Sequence, residues 1–259
     1  MSTVVHRRPL AERWPRPDGF GLGHPAAFYA WAGRLLPWCW AAAALFGLLG
    51  LAIGLLCAPT DTWPNDACRI LFIHLPATWM SILIYLAMAG WASLGLLLNA
   101  RLPSWMATAL APTGALTTFI ALWTGALWVK PTWGAWWVWD ARLTLEFLLL
   151  FLYLSFMTLQ AACDDPRRGE RVGAILLLLG ALNLPLIYAL LMWLDAAQPD
   201  PSTALAQAPD LASVGWAGLL LMAGAFGAWA IAAALVRVRS LILERGRGSH
   251  WVGRLDEAR

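Results

Sequence analysis

The sequence predicts an all-α integral membrane bundle of six transmembrane helices with both termini cytoplasmic. Three observations lead there. Hydrophobic residues make up 60% of the 259 and charged residues only 13%, a composition suited to lipid rather than water as the surrounding solvent. Six apolar runs are each long enough to cross about 30 Å of hydrocarbon at about 1.5 Å per helical residue. Arginine and lysine are distributed unequally between alternate connections, which orients the spans.

The runs are Leu35–Ala58, Pro76–Leu98, Met106–Val129, Leu143–Ala162, Val172–Leu194 and Val214–Val236. In the first, Gly50-x-x-x-Gly54 offers a flat strip for close packing on a neighbouring helix. The second is predicted to open at Pro76. Pro112 and Pro185 fall within the third and fifth runs and predict kinks there. Asp140 precedes the fourth, where its carboxylate can accept N–H groups of the first turn and its charge suits the helix N-terminus. The connections are short, so no soluble domain fits between spans. The expected organisation is a cytoplasmic segment 1–34, a six-span domain 35–236 with an outward loop 129–142, and a cytoplasmic tail 237–259.

Fifteen of the 18 basic residues fall on one side: Arg7, Arg8, Arg13, Arg16 and Arg34 before the first run, Arg101, then Arg167, Arg168 and Arg171, and the tail arginines. The other side has only Arg69, Lys130 and Arg142. The positive-inside rule therefore puts both termini in the cytoplasm and the 129–142 segment outside. The first 33 residues lack a continuous apolar stretch, so no cleavable signal peptide is expected. Cys39, Cys57, Cys68 and Cys163 form no Cys-x-x-Cys pair. Cys57 and Cys68 lie near one face and could pair in an oxidising compartment, with free thiols the expected state. No phosphate-cradling glycine loop, Ser-His-Asp signature or zinc spacing occurs, which excludes evident ATPase or hydrolase equipment.

The residues with chemistry to offer gather on the outer side. Trp133, Trp136, Trp137 and Trp139 stand with Asp140 inside eight residues. Tryptophan has a large flat face and one N–H donor, so this density reads either as an interfacial aromatic belt or as a stacking platform for a planar apolar ligand. His74 lies at the outer mouth of the second run, where an imidazole needs a partner: a backbone carbonyl or a metal. Arg69 precedes it by five residues, while Lys130 and Arg142 bracket the tryptophans. Singly, each cation is an anchor snorkelling to water. Together they suit a ligand with an apolar plane, a metal and acidic groups, a description that haem meets. Glu146, about one and a half turns into the fourth run, is expected to be structural, either neutral or paired with Arg142 across one turn. The connection from Asp195 to Ser213 carries three aspartates and no basic residue and reads as an exposed loop.

The stretch from Lys130 through Trp133, Trp136, Trp137, Trp139 and Asp140 to Thr144 resembles the tryptophan-rich motif of the haem-handling membrane proteins of cytochrome c biogenesis. Length and span number are similar to the CcmC family of haem-delivery proteins, whose larger synthetase-like relatives carry more spans. Arg69 to Trp79, Ala111-Pro-Thr-Gly-Ala and Asn183-Leu-Pro-Leu-Ile extend the resemblance to nearly the whole chain apart from the tails and the fifth connection. The resemblance implies a transient haem b site at the outer leaflet of the bacterial inner membrane, with the tryptophan segment against the haem. It implies two axial histidines, at the outer ends of the second and fifth spans. It also implies delivery to the haem chaperone CcmE, assistance from the small protein CcmD, and release driven by the ABC transporter subunits CcmA and CcmB.

His74 matches the first family histidine, and Tyr188 stands where the family has the second. A tyrosinate can ligate haem iron, although a phenol with pKa near 10 is a poor ligand without a nearby cation. Met192, one turn on, and a water or chaperone group opposite His74 are the alternatives. The expectation is a non-enzymatic protein in which His74 holds iron, the four tryptophans cover the porphyrin, and Arg69, Lys130 and Arg142 neutralise propionates. Asp140 secures the loop and Tyr188 takes the distal side. Two rivals belong to other classes. A haem-containing membrane oxidoreductase would need ligand pairs on facing helices, and this chain has one intramembrane histidine. A transporter of haem or another solute would show internal repeats and polar midplane residues, of which Glu146 is the one candidate.

Overall fold

A computed structural model describes residues 25–56, 67–186, 189 and 209–245. It has six long helices: α1 (Pro25–Leu56), α2 (Ala67–Leu98), α3 (Arg101–Trp133), α4 (Ala141–Ala161), α5 (Pro166–Ala181) and α6 (Pro209–Arg245). No strand occurs among the described residues. All six are long and apolar enough to cross a membrane, the fifth counted through Leu186, as the six runs predict. The chain is a multi-pass membrane protein.

The helices overrun the apolar stretches, because backbone hydrogen bonding continues into flanks where side chains meet headgroups and water. Three expected boundaries are corrected by this. Pro76 does not open the second span, since α2 begins at Ala67 and holds Pro76 in its interior. Proline removes one backbone donor, whereas Leu71 and Phe72 ahead of it are 7% and 4% exposed and need helical geometry to reach the core. The 129–142 loop is shorter than expected, because α3 continues through Lys130 and Pro131 to Trp133. It stops where Gly134 adopts φ 73°, a left-handed C-cap that glycine takes without steric cost. The fifth span begins at Pro166 rather than Val172, with Asp165 accepting from the Arg167 N–H at 2.9 Å. It is interrupted at Leu182, whose N–H reaches Leu179 O at 3.2 Å. Helical backbone resumes at 183–186, around Pro185.

α3 is the axis of the bundle: 67% of its most apolar window is buried, against 11% for α1. It packs on α2, α4 and α6, while α5 lies against α2 and α4, and α1 runs along α6. Close approach depends on missing side chains. A Cβ on Gly50 would sit 2.7 Å from Met222, and one on Gly54 2.7 Å from Phe72, so the glycine pair does seat α1 on α6 and α2. At the centre lie Tyr85, Met88, Leu149, Tyr153, Phe156 and Leu177, all buried. Phenol hydroxyls at that depth require acceptors. Tyr153 donates to Ser81 O at 2.6 Å and Tyr85 to Leu177 O at 3.3 Å, and the two rings meet edge-on at 5.3 Å.

Gly114 gives the tightest seat, since a Cβ there would lie 2.1 Å from the Tyr153 ring. Gly114→Ala is expected to push α3 from α4 and destabilise the protein by roughly 1–3 kcal/mol. Gly90→Ala, with no atom within 4 Å of the new methyl, should cost nothing. Thermal unfolding of both variants in the same detergent checks the pair.

Candidate functional site

The tryptophan segment is a short loop pinned at both ends. At its start the Gly134 N–H bonds to Lys130 O at 3.0 Å, and Lys130 Nζ folds back to donate to Gly134 O at 2.9 Å. The ammonium sits 5.4 Å from the Trp136 ring centroid. A cation at a helix C-terminus is favoured by the carbonyl dipoles gathered there, and the indole face adds a cation–π contact. At its end Asp140 caps α4, as expected: its carboxylate accepts from the Leu143 N–H at 2.7 Å. The Asp140 carbonyl also accepts from Thr144 Oγ1 at 2.6 Å.

The four tryptophans divide into one inward and three outward. Trp137 is half-buried on the Leu122, Val129 and Leu143 cluster. It meets Trp139 and Phe147 edge-on, at 5.5 and 6.1 Å. Its buried Nε1 has no hydrogen-bond partner, leaving a donor that calls for an acceptor. Trp133, Trp136 and Trp139 are 63%, 59% and 78% exposed. Their faces form the aromatic surface that the sequence predicts, and none of the three is consumed by the core.

His74, on α2, is half-buried against α3. Its Nδ1 lies 3.0 Å from Ala121 O and 3.0 Å from Thr124 Oγ1. A carbonyl oxygen can only accept, so Nδ1 carries the proton. Thr124 is free to accept from it because its own hydroxyl proton has a nearer target, Ile120 O at 2.7 Å. The tautomer is thereby set and the lone pair is on Nε2, the arrangement in which histidines bind metals. Of the two options weighed for His74, the carbonyl is the one seen, at Nδ1.

Gly125 links this ring to the loop. A Cβ there would come 3.3 Å from His74 Cε1 and 3.0 Å from Leu143 Cδ2, so both side chains occupy one notch in α3. Leu143 is the residue whose N–H Asp140 caps, and it packs beneath Trp137. His74, Trp137, Trp139 and Asp140 are therefore brought to a single corner. Arg69 at the start of α2 and Arg142 at the start of α4 are half-buried on the same end of the bundle as Lys130. Among the described residues no group of three or more His, Cys, Asp or Glu could hold a metal.

Sequence reasoning missed Ala121, Thr124 and Gly125. The available signal was the series Thr113, Thr117, Thr124, polar groups recurring at near-heptad spacing along one face of an apolar helix. Glu146 has its partner across the bundle, where Ser81 Oγ of α2 donates to it at 2.8 Å. It ties α4 to α2 through Ser81, a partner that neither of the two options weighed for it, a neutral carboxyl or a pair with Arg142, had named. Tyr188, Met192 and Cys57 lie outside the described residues, as does the side chain of Cys68.

Fold and site define a class: six-span helical membrane proteins with an oriented histidine beneath a tryptophan-bearing loop. A family model described as "Heme exporter protein C" matches residues 20–253, and this chain belongs to that family, CcmC. Heme exporter protein C of Escherichia coli K12 is 38% identical over 239 residues, covering 90% of this chain and 94% of the relative. The protein of the same name from Bradyrhizobium diazoefficiens is 39% identical over 225 residues, 86% of this chain and 85% of the relative. That of Haemophilus influenzae is 34% identical over 234 residues, 90% of this chain and 95% of the relative.

Asp140→Ala removes the cap and should cost about 1 kcal/mol, whereas Asp140→Asn, a comparable cap, should cost little. Thermal midpoints of the two variants measure the difference.

Proposed function

We propose that the protein holds haem b transiently at the outer face of the bacterial inner membrane and hands it to the chaperone CcmE for cytochrome c maturation. The observation that carries this reading is the His74 ring, fixed by Ala121 O with its lone pair on Nε2, beside a loop of exposed tryptophans. The relatives named as heme exporters support it.

The residues present fit that cargo. His74 supplies a nitrogen for iron, and the Trp133, Trp136 and Trp139 faces supply stacking surface. Lys130, Arg69 and Arg142 supply positive charge for propionates, and the unpartnered Trp137 Nε1 supplies a donor for a carboxylate oxygen. The role in this proposal is binding and transfer rather than catalysis. CcmD would assist the docking of CcmE, and CcmA with CcmB would drive departure of the loaded chaperone. Tyr188 takes the distal side in this proposal, where coordination weaker than bis-histidine favours release.

The protein purified after haem-replete growth should show a Soret band. His74→Ala should remove most of it, and replacement of the exposed Trp133, Trp136 and Trp139 by alanine should weaken haem retention. Tyr188→Phe should shift the spectrum and lower affinity; an unchanged spectrum would exclude phenolate ligation. A wild type that neither carries nor captures haem would refute the proposal as a whole.

A further inference from the structure

At the end of the bundle opposite the tryptophan loop, two adjoining cavities of about 170 and 520 Å³ open between the α2–α3 turn and the first turns of α5. They share Asn99, Arg167 and Arg171, and the larger also reaches Arg168 and Val172. None of the three arginines forms an ion pair among the described residues, in contrast to Arg245. The nearby acids do not offset them. Asp165 also lines the larger cavity, a single carboxylate against three arginines there, and one of its oxygens is engaged in capping the Arg167 N–H, while Asp164 is exposed beside it. Glu170, which lines the smaller cavity, is 9% exposed and engaged by Arg245 of α6 and by Trp105 Nε1 at 3.2 Å. The floor carboxylate is thus neutralised from below, and the mouth remains cationic.

The other wall is apolar. Leu96 and Val172 line the cavities, each 37% exposed, and Ile175 one turn along α5 is 53% exposed. The arginines immediately precede the apolar run of the fifth span, the depth at which phosphates of a bilayer lie. A soluble phosphate would need only the charges. The pairing of guanidinium groups with an exposed hydrocarbon wall matches a molecule that has both parts.

We propose that this corner is a binding site for one anionic phospholipid, its headgroup phosphate held by Arg167, Arg168 and Arg171 and its acyl chains laid along Leu96, Val172 and Ile175. Arginine forks suit phosphate oxygens in pairs. The bound lipid fastens the start of α5 to the α2–α3 turn, a junction where α5 otherwise packs mainly on α2 and α4 and is tied to α3 and α6 through Glu170. The assignment is independent of haem.

The test is native mass spectrometry of the full-length protein in non-ionic detergent, after incubation with phosphatidylglycerol or phosphatidylcholine of matched chains. Phosphatidylglycerol should be retained preferentially. The R167Q/R168Q/R171Q variant should lose about tenfold or more of that retention, while R237Q, exposed on the same end, keeps it. Should the triple variant fail to fold, R168Q alone, whose side chain is exposed, reads the same loss in smaller measure. Equal retention of the two lipids, or unchanged retention by the arginine variants, overturns the proposal. Displacement of the lipid by millimolar inorganic phosphate would reassign the site to a soluble anion and overturn it equally.

Discussion

One carbonyl oxygen, that of Ala121, governs the functional corner of this protein. A half-buried imidazole packed between apolar helices is costly to leave without a partner. His74 meets that demand by donating Nδ1–H into the α3 backbone, and the consequence is chemical as well as structural. The donor nitrogen is committed to the scaffold, so the other nitrogen alone carries the lone pair. The bond also sets α2 against α3, the pair on which α4, α5 and α6 all pack. Gly125 leaves room for the arrangement, since a Cβ there would crowd both Leu143 and His74, at 3.0 and 3.3 Å.

The loop above this corner is ordered by its ends rather than its middle. Gly134 stops α3 by adopting a conformation other residues resist, and Asp140 starts α4 by accepting a backbone N–H. Five residues between two such fixed points have little freedom, and the chemistry of tryptophan decides the remainder. Trp137 turns inward as a wedge over Leu143, and its neighbours are left outside with exposed faces. The belt and the platform are therefore not rival descriptions. Trp133, Trp136 and Trp139 present the same surface that either use requires, and the oriented histidine below them is what favours the platform.

The two ends of the bundle differ in a way that follows from charge. The tryptophan end carries few cations, each close to the loop or to His74, whereas the opposite end gathers arginines around a cavity whose single buried carboxylate is already paired. Between the ends, polar side chains are linked across helices: Ser81 donates to Glu146, and Tyr153 donates to the Ser81 carbonyl. These contacts join α2 and α4 through groups that a hydrocarbon solvent would leave unsatisfied, and they mark the axis on which the two ends are held in register.

Six spans, the Asp140 cap and the glycine seat of α1 were legible in the sequence, because hydrophobic length, capping chemistry and missing side chains act locally or against any neighbour. The candidate residues His74, Lys130, Asp140 and the tryptophans were legible for a related reason: such groups are conspicuous in an apolar chain. What sequence alone could not determine was their relation. Pro76 lies inside a helix because buried Leu71 and Phe72 outweigh one lost donor, Glu146 looks to Ser81 rather than to Arg142, and the His74 tautomer depends on a carbonyl 47 residues away. Each of these is a contact between helices distant in the chain, and a carbonyl carries no signature in its own residue type. The sequence by itself determined the class of fold and the chemical groups available; the packing of α3 against α2 and α4 decided which of them meet, because only there do separate helices supply one another's hydrogen bonds.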